Sequence, residues 1–325
     1  MKRALAHCRS LWPRWPLLPA LPMPLYSALV ALQGQLRWDH LAMTAIVLTL
    51  AYAHRRTKQL LLAFVGFPLV AVVYDAARFI RDWGVTEPRV LGCGLQRFER
   101  TWFGLWDGGL RVTMQDYFLA HHHPAADLFF AAPYAVFLAV PLAFAVYLFV
   151  RDPRACARFS WGFFALNVLG MLTYHALPAT PPWYLHRYGC AIHLGATEFE
   201  GAALARVDAM TGLSYFHAFY GRASEVFGAL PSLHVAFPLL IVLEGWQRQR
   251  WPFRAASLFF FAWMCCAAVY LDHHWIADLA LGCVYAVGVF AALRRLMPAR
   301  AWSQNSSSAP APRLAGFLRK EGAVD

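Results

Sequence analysis

Two histidines and one aspartate in the last third of the chain have the residue types and the spacing that phosphoryl transfer needs. His234 ends the segment Gly228–His234 (GALPSLH), and His274 and Asp278 lie in the segment Tyr270–Asp278 (YLDHHWIAD). Because His274 and Asp278 are four residues apart, they would share one face of a helix. A histidine held in one tautomer by a carboxylate can attack phosphorus, and a second histidine can protonate the departing oxygen. This set predicts two-step phosphoryl transfer without a metal.

The residues that precede His234 predict a place for the phosphate oxygens. Pro231 suits the first turn of a helix, where its missing N–H has no intrahelical partner to lose. Ser232 would then lie where the free backbone N–H groups of a helix start form an anion site. We therefore expect Ser232 and the adjacent N–H groups to bind phosphate.

The composition indicates that membrane helices hold these residues in place. The chain has 325 residues, of which 59% are hydrophobic and 14% are charged, whereas soluble domains carry roughly 25% charged residues. The apolar residues form long blocks, as membrane spans require. The formal charge of +11 comes mostly from short gaps between these blocks, which is typical of a topology signal and not of a nucleic-acid-binding face. We expect a multi-pass integral membrane protein without a nucleic-acid partner.

Seven apolar segments have a length and composition that predict membrane spans. A helix crosses the hydrocarbon region with about 20 residues. An additional segment, Leu17–Leu36, contains three prolines near its start, so only part of it is cleanly apolar. The predicted spans are Asp39–His54, Gln59–Ile80, Ala126–Val150, Phe159–Leu177, Ser232–Trp246, Ala255–Leu271 and Trp275–Leu293.

Basic residues after four of these spans predict the orientation of the protein. If every span crosses, these residues all lie on one side, and the positive-inside rule makes that side the cytoplasm. His234 and His274 then share the extracytoplasmic face. The four basic groups are Arg55, Arg56 and Lys58, then Arg151, Arg154 and Arg158, then Arg248, Arg250 and Arg254, and finally Arg294, Arg295 and Arg300.

The organisation predicted from these patterns is an all-α, polytopic transmembrane bundle. Residues 1–36 form a basic N-terminal arm and a possible first span, and residues 37–300 form a membrane-embedded phosphoryl-transfer domain. Residues 301–325 form a cytoplasmic tail whose Ser303–Pro312 run, SQNSSSAPAP, is typical of disorder.

Four segments in order resemble one enzyme family. PSLH and HHWxxD are similar to the second and third motifs of the type 2 phosphatidic acid phosphatase superfamily. Its inositol phosphorylceramide synthase branch has further segments that resemble Pro181–Tyr184 (PPWY), Arg206–Asp208 (RVD) and Val226–His234 (VFGALPSLH). The likeness covers about Phe159–Leu293. It implies a six-helix phosphatase-type core with one or two extra N-terminal spans.

The resemblance also implies roles for the residues that match. His274 would be the nucleophile that forms a phosphohistidine, and Asp278 would orient it. His234 would act as general acid and then as general base. The branch implies membrane lipids as partners, with phosphatidylinositol as donor and ceramide as acceptor, and no cofactor. Two alternatives remain open: a lipid or isoprenoid phosphate phosphatase with water as acceptor, and a non-catalytic membrane protein that kept the fold.

The sequence departs from the superfamily at two phosphate-binding cations. The lysine-and-arginine first motif is absent, and Ala268 stands where the third motif has an arginine. Because phosphoryl transfer needs positive charge around the equatorial oxygens, we expect other cations to supply it. The candidates for binding phosphate are Arg187, Arg206 and Arg222 with His273 as a further donor, and Trp183 and Tyr184 are candidates for the substrate pocket wall.

The remaining histidines and cysteines indicate no metal site. His121, His122 and His123 are consecutive, and consecutive residues on a helix do not share a face, which makes them poor chelators. Cys93 and Cys190 lie in the two long external loops, and the sequence leaves open whether they pair. It also leaves open the oligomeric state.

Overall fold

A computed structural model describes residues 2–80, 83–194, 201–220 and 226–298. Within them, the all-α prediction is confirmed, with one short β-hairpin and two 3-10 helices, Leu18–Ala20 and Glu87–Arg89, as the additions. The hairpin pairs β1, Leu105–Asp107, with β2, Leu110–Val112. The helices are α1 Lys2–Leu11, α2 Pro22–Leu32, α3 Trp38–Tyr52, α4 Arg55–Phe64, α5 Gly66–Ala77, α6 Cys93–Phe103, α7 Met114–Ala120, α8 Pro124–Ala135, α9 Ala139–Arg151, α10 Pro153–Ala176, α11 Pro182–Tyr188, α12 Leu204–Thr211, α13 Tyr215–Tyr220, α14 Leu233–Gly245, α15 Trp251–Tyr270 and α16 Ile276–Leu296.

Three described helices, α10, α15 and α16, are long and apolar enough to cross a membrane. Two further spans arise only if each of two bent pairs is counted as one: α4 with α5, bent by 53°, and α8 with α9, bent by 44°. The predicted spans Gln59–Ile80 and Ala126–Val150 are therefore wrong as continuous helices. Apolar composition predicted the position of these two segments in the sequence, but it did not predict that each is divided into two helices.

Local sequence explains both breaks. Gly66 begins α5 against α10, where its N–H donates to the Ser160 hydroxyl at 2.8 Å, and a Cβ at Gly66 would collide with the Ser160 carbonyl. In the other pair, Pro141 is the third residue of α9 and has no N–H for the carbonyl of Phe137. A close contact and a missing donor each interrupt the helical hydrogen bonding.

Two predicted spans are shorter in the structure than a bilayer crossing requires. The helix α3 has 15 residues and α14 has 13, against the roughly 20 that a perpendicular crossing takes. The helix α14 is nevertheless the best buried, because it packs against α10, α15 and α16. The three neighbouring helices, and not lipid, therefore surround most of α14.

The long segments between the predicted spans, which the sequence analysis expects to be external, fold over one end of this bundle, which we call the histidine end. It is the end at which α14 and α16 begin. Backbone bridges join Leu91 to Ala179 and Ala179 to Gly228, and a disulfide joins Cys93 to Cys190, with a Cα–Cα distance of 5.6 Å. The pairing that the sequence left open is thus present. The tail prediction for residues 301–325 lies outside the described residues, and the boundaries at 36 and 300 stay predictions.

Candidate active site

The starts of α14 and α16 are held side by side by backbone contacts. The Ser232 N–H donates to the Asp278 carbonyl at 2.9 Å, and a Cβ on Gly282 would collide with the Ser232 carbonyl. Only glycine permits so close an approach of the two backbones. This contact places His234, at the second position of α14, beside the first turn of α16.

His234, His274 and Asp278 form one connected group. His234 Nδ1 lies 3.1 Å from His274 Nε2, and His274 Nδ1 lies 3.3 Å from Asp278 Oδ2 and 3.1 Å from the Ala229 carbonyl oxygen. Because both partners of His274 Nδ1 are acceptors, Nδ1 carries the proton and Nε2 keeps its lone pair. The spacing of four residues predicted the contact of His274 with Asp278. The packing of α14 against α16 brings His234 next to them.

The proton assignment of His274 also determines which nitrogen of His234 carries a proton. His234 Nδ1 donates to His274 Nε2, which leaves His234 Nε2 as the acceptor for the hydroxyl of Tyr220 at 3.2 Å. Burial raises the pKa of Tyr220 above its usual value, so the group remains a hydroxyl. The result is a directed series of hydrogen bonds from Tyr220 through both histidines to Asp278.

Aromatic rings hold the imidazole of His234 in place. Tyr134 stacks on it with 4.6 Å between ring centroids and an interplanar angle of 23°, and Phe137 lies at the same centroid distance. Tyr134 and Tyr220 were missed by the sequence reasoning, because a single aromatic residue in an apolar segment gives no distinguishing signal. Their contacts with His234 arise only from the tertiary fold.

Several buried polar atoms around the histidines have no hydrogen-bond partner in the described part of the chain, the hydroxyl of Tyr134 among them. Two others are the hydroxyl of Ser232 and Oδ1 of Asp278, and both residues are fully buried. Leaving such a group unpaired costs about 1–3 kcal/mol. The backbone N–H of Ser232 is already engaged by Asp278, so at this position the hydroxyl is the group left for a phosphate oxygen.

The N-terminus of α16 is occupied by a carboxylate that the sequence reasoning also missed. Glu99 of α6 accepts hydrogen bonds from the N–H groups of Ile276 and Ala277, at 3.1 and 2.9 Å. A negative charge at a helix N-terminus is stabilised by the helix dipole and satisfies free donors. Glu99 therefore anchors the start of the helix that carries Asp278.

The arginines predicted to bind phosphate are differently placed. The guanidinium of Arg206 forms two hydrogen bonds to Asp127, at 2.7 and 3.1 Å, and that carboxylate also accepts from Tyr270. Arg187 is exposed and lies over the ring of Tyr188, 5.3 Å from its centroid. Arg222 lies outside the described residues. Phosphate binding by each of the three arginines stays a prediction.

His273 lies between aromatic rings next to the predicted nucleophile. Its Nε2 is 3.2 Å from the Gly201 carbonyl, and the rings of Tyr134 and Tyr220 lie 4.9 and 5.3 Å away. Burial, with a contribution from His274, lowers the pKa of His273 to about 3. His273 is therefore a neutral imidazole at physiological pH. Its role as a hydrogen-bond donor to phosphate stays a prediction.

An apolar cavity of about 550 Å³ leads away from the histidines. His234, His273 and His274 line its polar end. Apolar side chains from α5, α9, α10 and α14 line the rest, among them Val70, Leu142, Phe163 and Phe237. A cavity with one polar end and apolar walls fits an amphiphilic ligand.

The two predicted wall residues on α11 differ. Trp183 lines the cavity and is 5% exposed. Tyr184 is fully buried, packs against Tyr188, and accepts the N–H of His193 at 2.7 Å. The structure thus places Trp183 at the cavity wall and Tyr184 in the packing behind it.

The consecutive histidines contact three separate partners. His121 pairs with Asp107 at 3.0 Å, His122 lies 3.4 Å from Asp127, and His123 accepts the N–H of Ala125. Among the residues that the structure describes, no group of three or more histidine, cysteine or acidic side chains could hold a metal ion.

Comparison with known proteins places this chain in a family. The family model described as the PAP2 superfamily matches residues 94–292, and the chain belongs to that superfamily. It is 34% identical to the phosphoinositol dihydroceramide synthase of Bacteroides thetaiotaomicron over 262 residues, which are 80% of this chain and 85% of that protein. It is 31% identical over 179 residues to the inositol phosphorylceramide synthase catalytic subunit of Schizosaccharomyces pombe, covering 54% of this chain and 42% of that one. No solved structure matches the chain.

These relatives confirm the resemblance drawn from the four sequence segments. They also confirm that the chain is an enzyme of the phosphotransferase type, similar to inositol phosphorylceramide synthases.

Proposed function

We propose that this enzyme transfers inositol phosphate from phosphatidylinositol to the hydroxyl of a ceramide-type lipid through a phosphohistidine at His274. The observation that carries the proposal is the paired His234 and His274 at the polar end of an apolar cavity. The names of the relatives supply the donor and acceptor classes.

In the first step, His274 Nε2 attacks the phosphorus of the donor. The new P–N bond forms as the P–O bond to diacylglycerol breaks. In the complex with the anionic donor, His234 is protonated on both ring nitrogens; it gives its Nδ1 proton to the departing oxygen and becomes the neutral imidazole. Asp278 stabilises the positive charge that develops on His274, and the hydroxyl of Ser232 binds an equatorial oxygen. Diacylglycerol leaves, and inositol phosphate stays bound to His274.

In the second step, the acceptor hydroxyl replaces diacylglycerol. His234 takes the proton of that hydroxyl while its oxygen attacks phosphorus, and the P–N bond breaks to restore His274. Both steps need the phosphoryl group to lie between His234 and His274. A bound substrate therefore displaces the hydrogen bond that joins the two histidines in the free protein. The apolar cavity favours a lipid over water as acceptor, because it accommodates acyl chains.

The same proposal places the histidine end on the extracytoplasmic face. Basic residues such as Arg151 and Arg248 lie at the opposite helix ends, as the positive-inside rule requires of a cytoplasmic side. The disulfide between Cys93 and Cys190 lies at the histidine end, and disulfides persist in oxidising compartments.

The deciding experiment supplies purified protein with inositol-labelled phosphatidylinositol in mixed micelles, with and without ceramide. We expect label to move to ceramide in a one-to-one ratio with diacylglycerol release, and we expect the His274→Gln variant to be inactive. Without ceramide, acid-labile and base-stable label should accumulate on residue 274. Release of soluble inositol phosphate at the same rate with or without ceramide would instead identify a hydrolase.

A further inference from the structure

A partly buried ion-pair network lies behind the predicted nucleophile and does not line the cavity: the side chains of His186 and Asp116 are 23% and 28% exposed, and that of Asp272 is 5% exposed. His186 of α11 bridges two carboxylates: its Nε2 lies 2.7 Å from Asp116 Oδ1, and its Nδ1 lies 2.8 Å from Asp272 Oδ2. Asp116 belongs to α7, and Asp272 immediately precedes the paired histidines His273 and His274. Three segments that are distant in sequence therefore meet at one imidazole.

The backbone at Asp272 has a conformation that needs this support. Its φ of 64° lies in the left-handed region, which is unfavourable for a residue other than glycine. Its carbonyl accepts the N–H of Trp183 at 3.1 Å, so α11 binds this residue through both backbone and side chain. Asp272 Oδ1 has no partner among the described residues, which leaves His186 as the partner of the carboxylate.

The helix that supplies Asp116 also contacts His274 itself. The adjacent residue, Gln115, is 1% exposed and donates from Nε2 to the carbonyl of His274 at 2.8 Å. Asp116 is fixed within α7 because its Oδ2 accepts the N–H of Thr113. A movement of α7 or α11 would therefore shift the backbone on both sides of His273.

We infer that His186 is a positioning residue, and that its bridge between Asp116 and Asp272 sets the place of His274 for in-line attack. The inference rests on the proposed function and adds to it a residue that does not touch the substrate. A displacement of about 1 Å in a reacting group can cost about 10²-fold in rate.

The charges of the network predict its pH range. Burial lowers the pKa of His186, but the two carboxylates outweigh burial and raise that pKa to about 9. Burial raises the pKa of Asp116, but hydrogen bonds from His186 and Thr113 outweigh burial and lower that pKa to about 2. Burial also raises the pKa of Asp272, opposed by His186 and by the charge of Arg206.

The sign of the effect follows from the raised pKa. The pKa of His186 in the folded protein exceeds its usual value of roughly 6.5. The stability that the charged bridge contributes is therefore fully present below about pH 6.5 and is lost as the pH rises through about 9. Loss of the proton leaves two carboxylates, one buried and one half-buried, facing a neutral ring. We expect transfer activity to fall through the same range.

The test compares His186→Gln and Asp116→Asn with the wild-type protein. A glutamine amide is uncharged, and its two N–H donors share one nitrogen, so it does not reproduce the charged bridge that His186 forms through Nδ1 and Nε2. We therefore expect kcat to fall roughly 10–100-fold and the fall near pH 9 to disappear. KM should change less than about threefold, because His186 does not line the cavity. Asp116→Asn keeps an acceptor for Thr113 and removes one charge from His186. It should therefore move the fall to lower pH by about one unit.

His121→Gln is the matched control, since His121 also pairs with an aspartate, at 3.0 Å, but in the exposed hairpin region. It should leave both rate and pH profile unchanged. A fall near pH 9 that persists in His186→Gln, or a pH profile in Asp116→Asn identical to the wild type, overturns the inference.

A second measurement does not depend on catalysis. In protein labelled with ¹⁵N-histidine, we expect one imidazole to titrate near pH 9 and its signal to be absent from His186→Gln. If no histidine titrates there, the inference fails even in an active enzyme. If the signal is present but no lipid acceptor is used, the proposed function fails while the bridge stands.

Discussion

The two ends of α14 both bury polar side chains, but only at one end are the buried charged side chains completely paired. At the end opposite the histidines, which we call the arginine end, the guanidinium of Arg158 binds both carboxylate oxygens of Glu244. Arg248 lies 3.4 Å from the same carboxylate, and the Met297 carbonyl accepts from Arg158. At the histidine end, the Ser232 hydroxyl and one oxygen of Asp278 have no partner in the described part of the chain.

The contrast distinguishes a structural polar cluster from a functional one. Both sets of side chains are almost fully removed from solvent, so burial alone does not separate them. A buried group that stays unpaired destabilises the fold by about 1–3 kcal/mol, and such a cost is retained where a ligand supplies the missing partner. The histidine end has that incompleteness together with a cavity, whereas at the arginine end every nitrogen of the Arg158 guanidinium and both carboxylate oxygens of Glu244 have partners.

The largest expected effect is on catalysis at the histidine end. Asp278→Asn removes the charge that holds the Nδ1 proton of His274 and stabilises the imidazolium. We expect kcat to fall about 10³–10⁴-fold, as when a histidine loses its orienting carboxylate in a hydrolase triad. The thermal unfolding midpoint should change little, because the buried charge that is lost was only partly paired. A fall smaller than tenfold would remove Asp278 from the mechanism.

The arginine end should show the opposite pattern. Glu244→Gln leaves the charge of Arg158 buried without its counter-ion, and we expect a loss of about 3–5 kcal/mol in the free energy of unfolding. The rate per folded molecule should stay at the wild-type value. Unfolding in detergent, followed by tryptophan fluorescence, measures the first quantity, and the transfer assay measures the second.

The double variant Arg158→Met with Glu244→Leu tests whether this end is structural only. Replacing both members of a buried ion pair with apolar groups is often neutral or stabilising. We therefore expect the double variant to be more stable than Glu244→Gln alone. A slower transfer rate in a stably folded double variant would show that the arginine end also supports catalysis.

Ser232→Ala is expected to have an intermediate effect, on rate but not on stability. The hydroxyl contributes no hydrogen bond in the free protein, and removing one donor from a developing charge costs roughly 10²-fold in kcat. Ser160→Ala is the matched control, because its buried hydroxyl already accepts the N–H of Gly66. It should lower stability and leave the rate unchanged. Equal rates in the two variants would contradict a role for Ser232 in binding phosphate.

Short-range sequence patterns predicted the histidine end better than the arginine end. The i, i+4 spacing of His274 and Asp278 requires only a helix to bring the two together, and the segment order brings in His234. Arg158 was assigned to a loop as a topology signal, because charge patterning reports which side a residue prefers. The structure places it inside α10, where it is 4% exposed, paired with a residue 86 positions away.

The same limit explains the other residues that sequence reasoning missed or misplaced. Glu99 reaches α16 across 177 positions, and His186 reaches Asp272 across 86. Neither distance leaves a periodic or local signal. The bends at the starts of α5 and α9 did have local signals, a glycine and a proline, but hydropathy averages over such single residues. Contacts between distant segments set most of the support around the site.

The smallest expected effect concerns the outer end of the hydrogen-bond series that begins at Tyr220. Tyr220→Phe removes the donor to His234 Nε2, which lies 3.2 Å away, and we expect kcat to fall up to about tenfold, since one hydrogen bond contributes about 0.5–1.5 kcal/mol. Tyr215→Phe, on the same helix, loses a hydrogen bond to the Ala135 carbonyl and should not slow transfer. If both variants slow transfer equally, the contribution of Tyr220 is to the packing of α13 and not to the protons of His234.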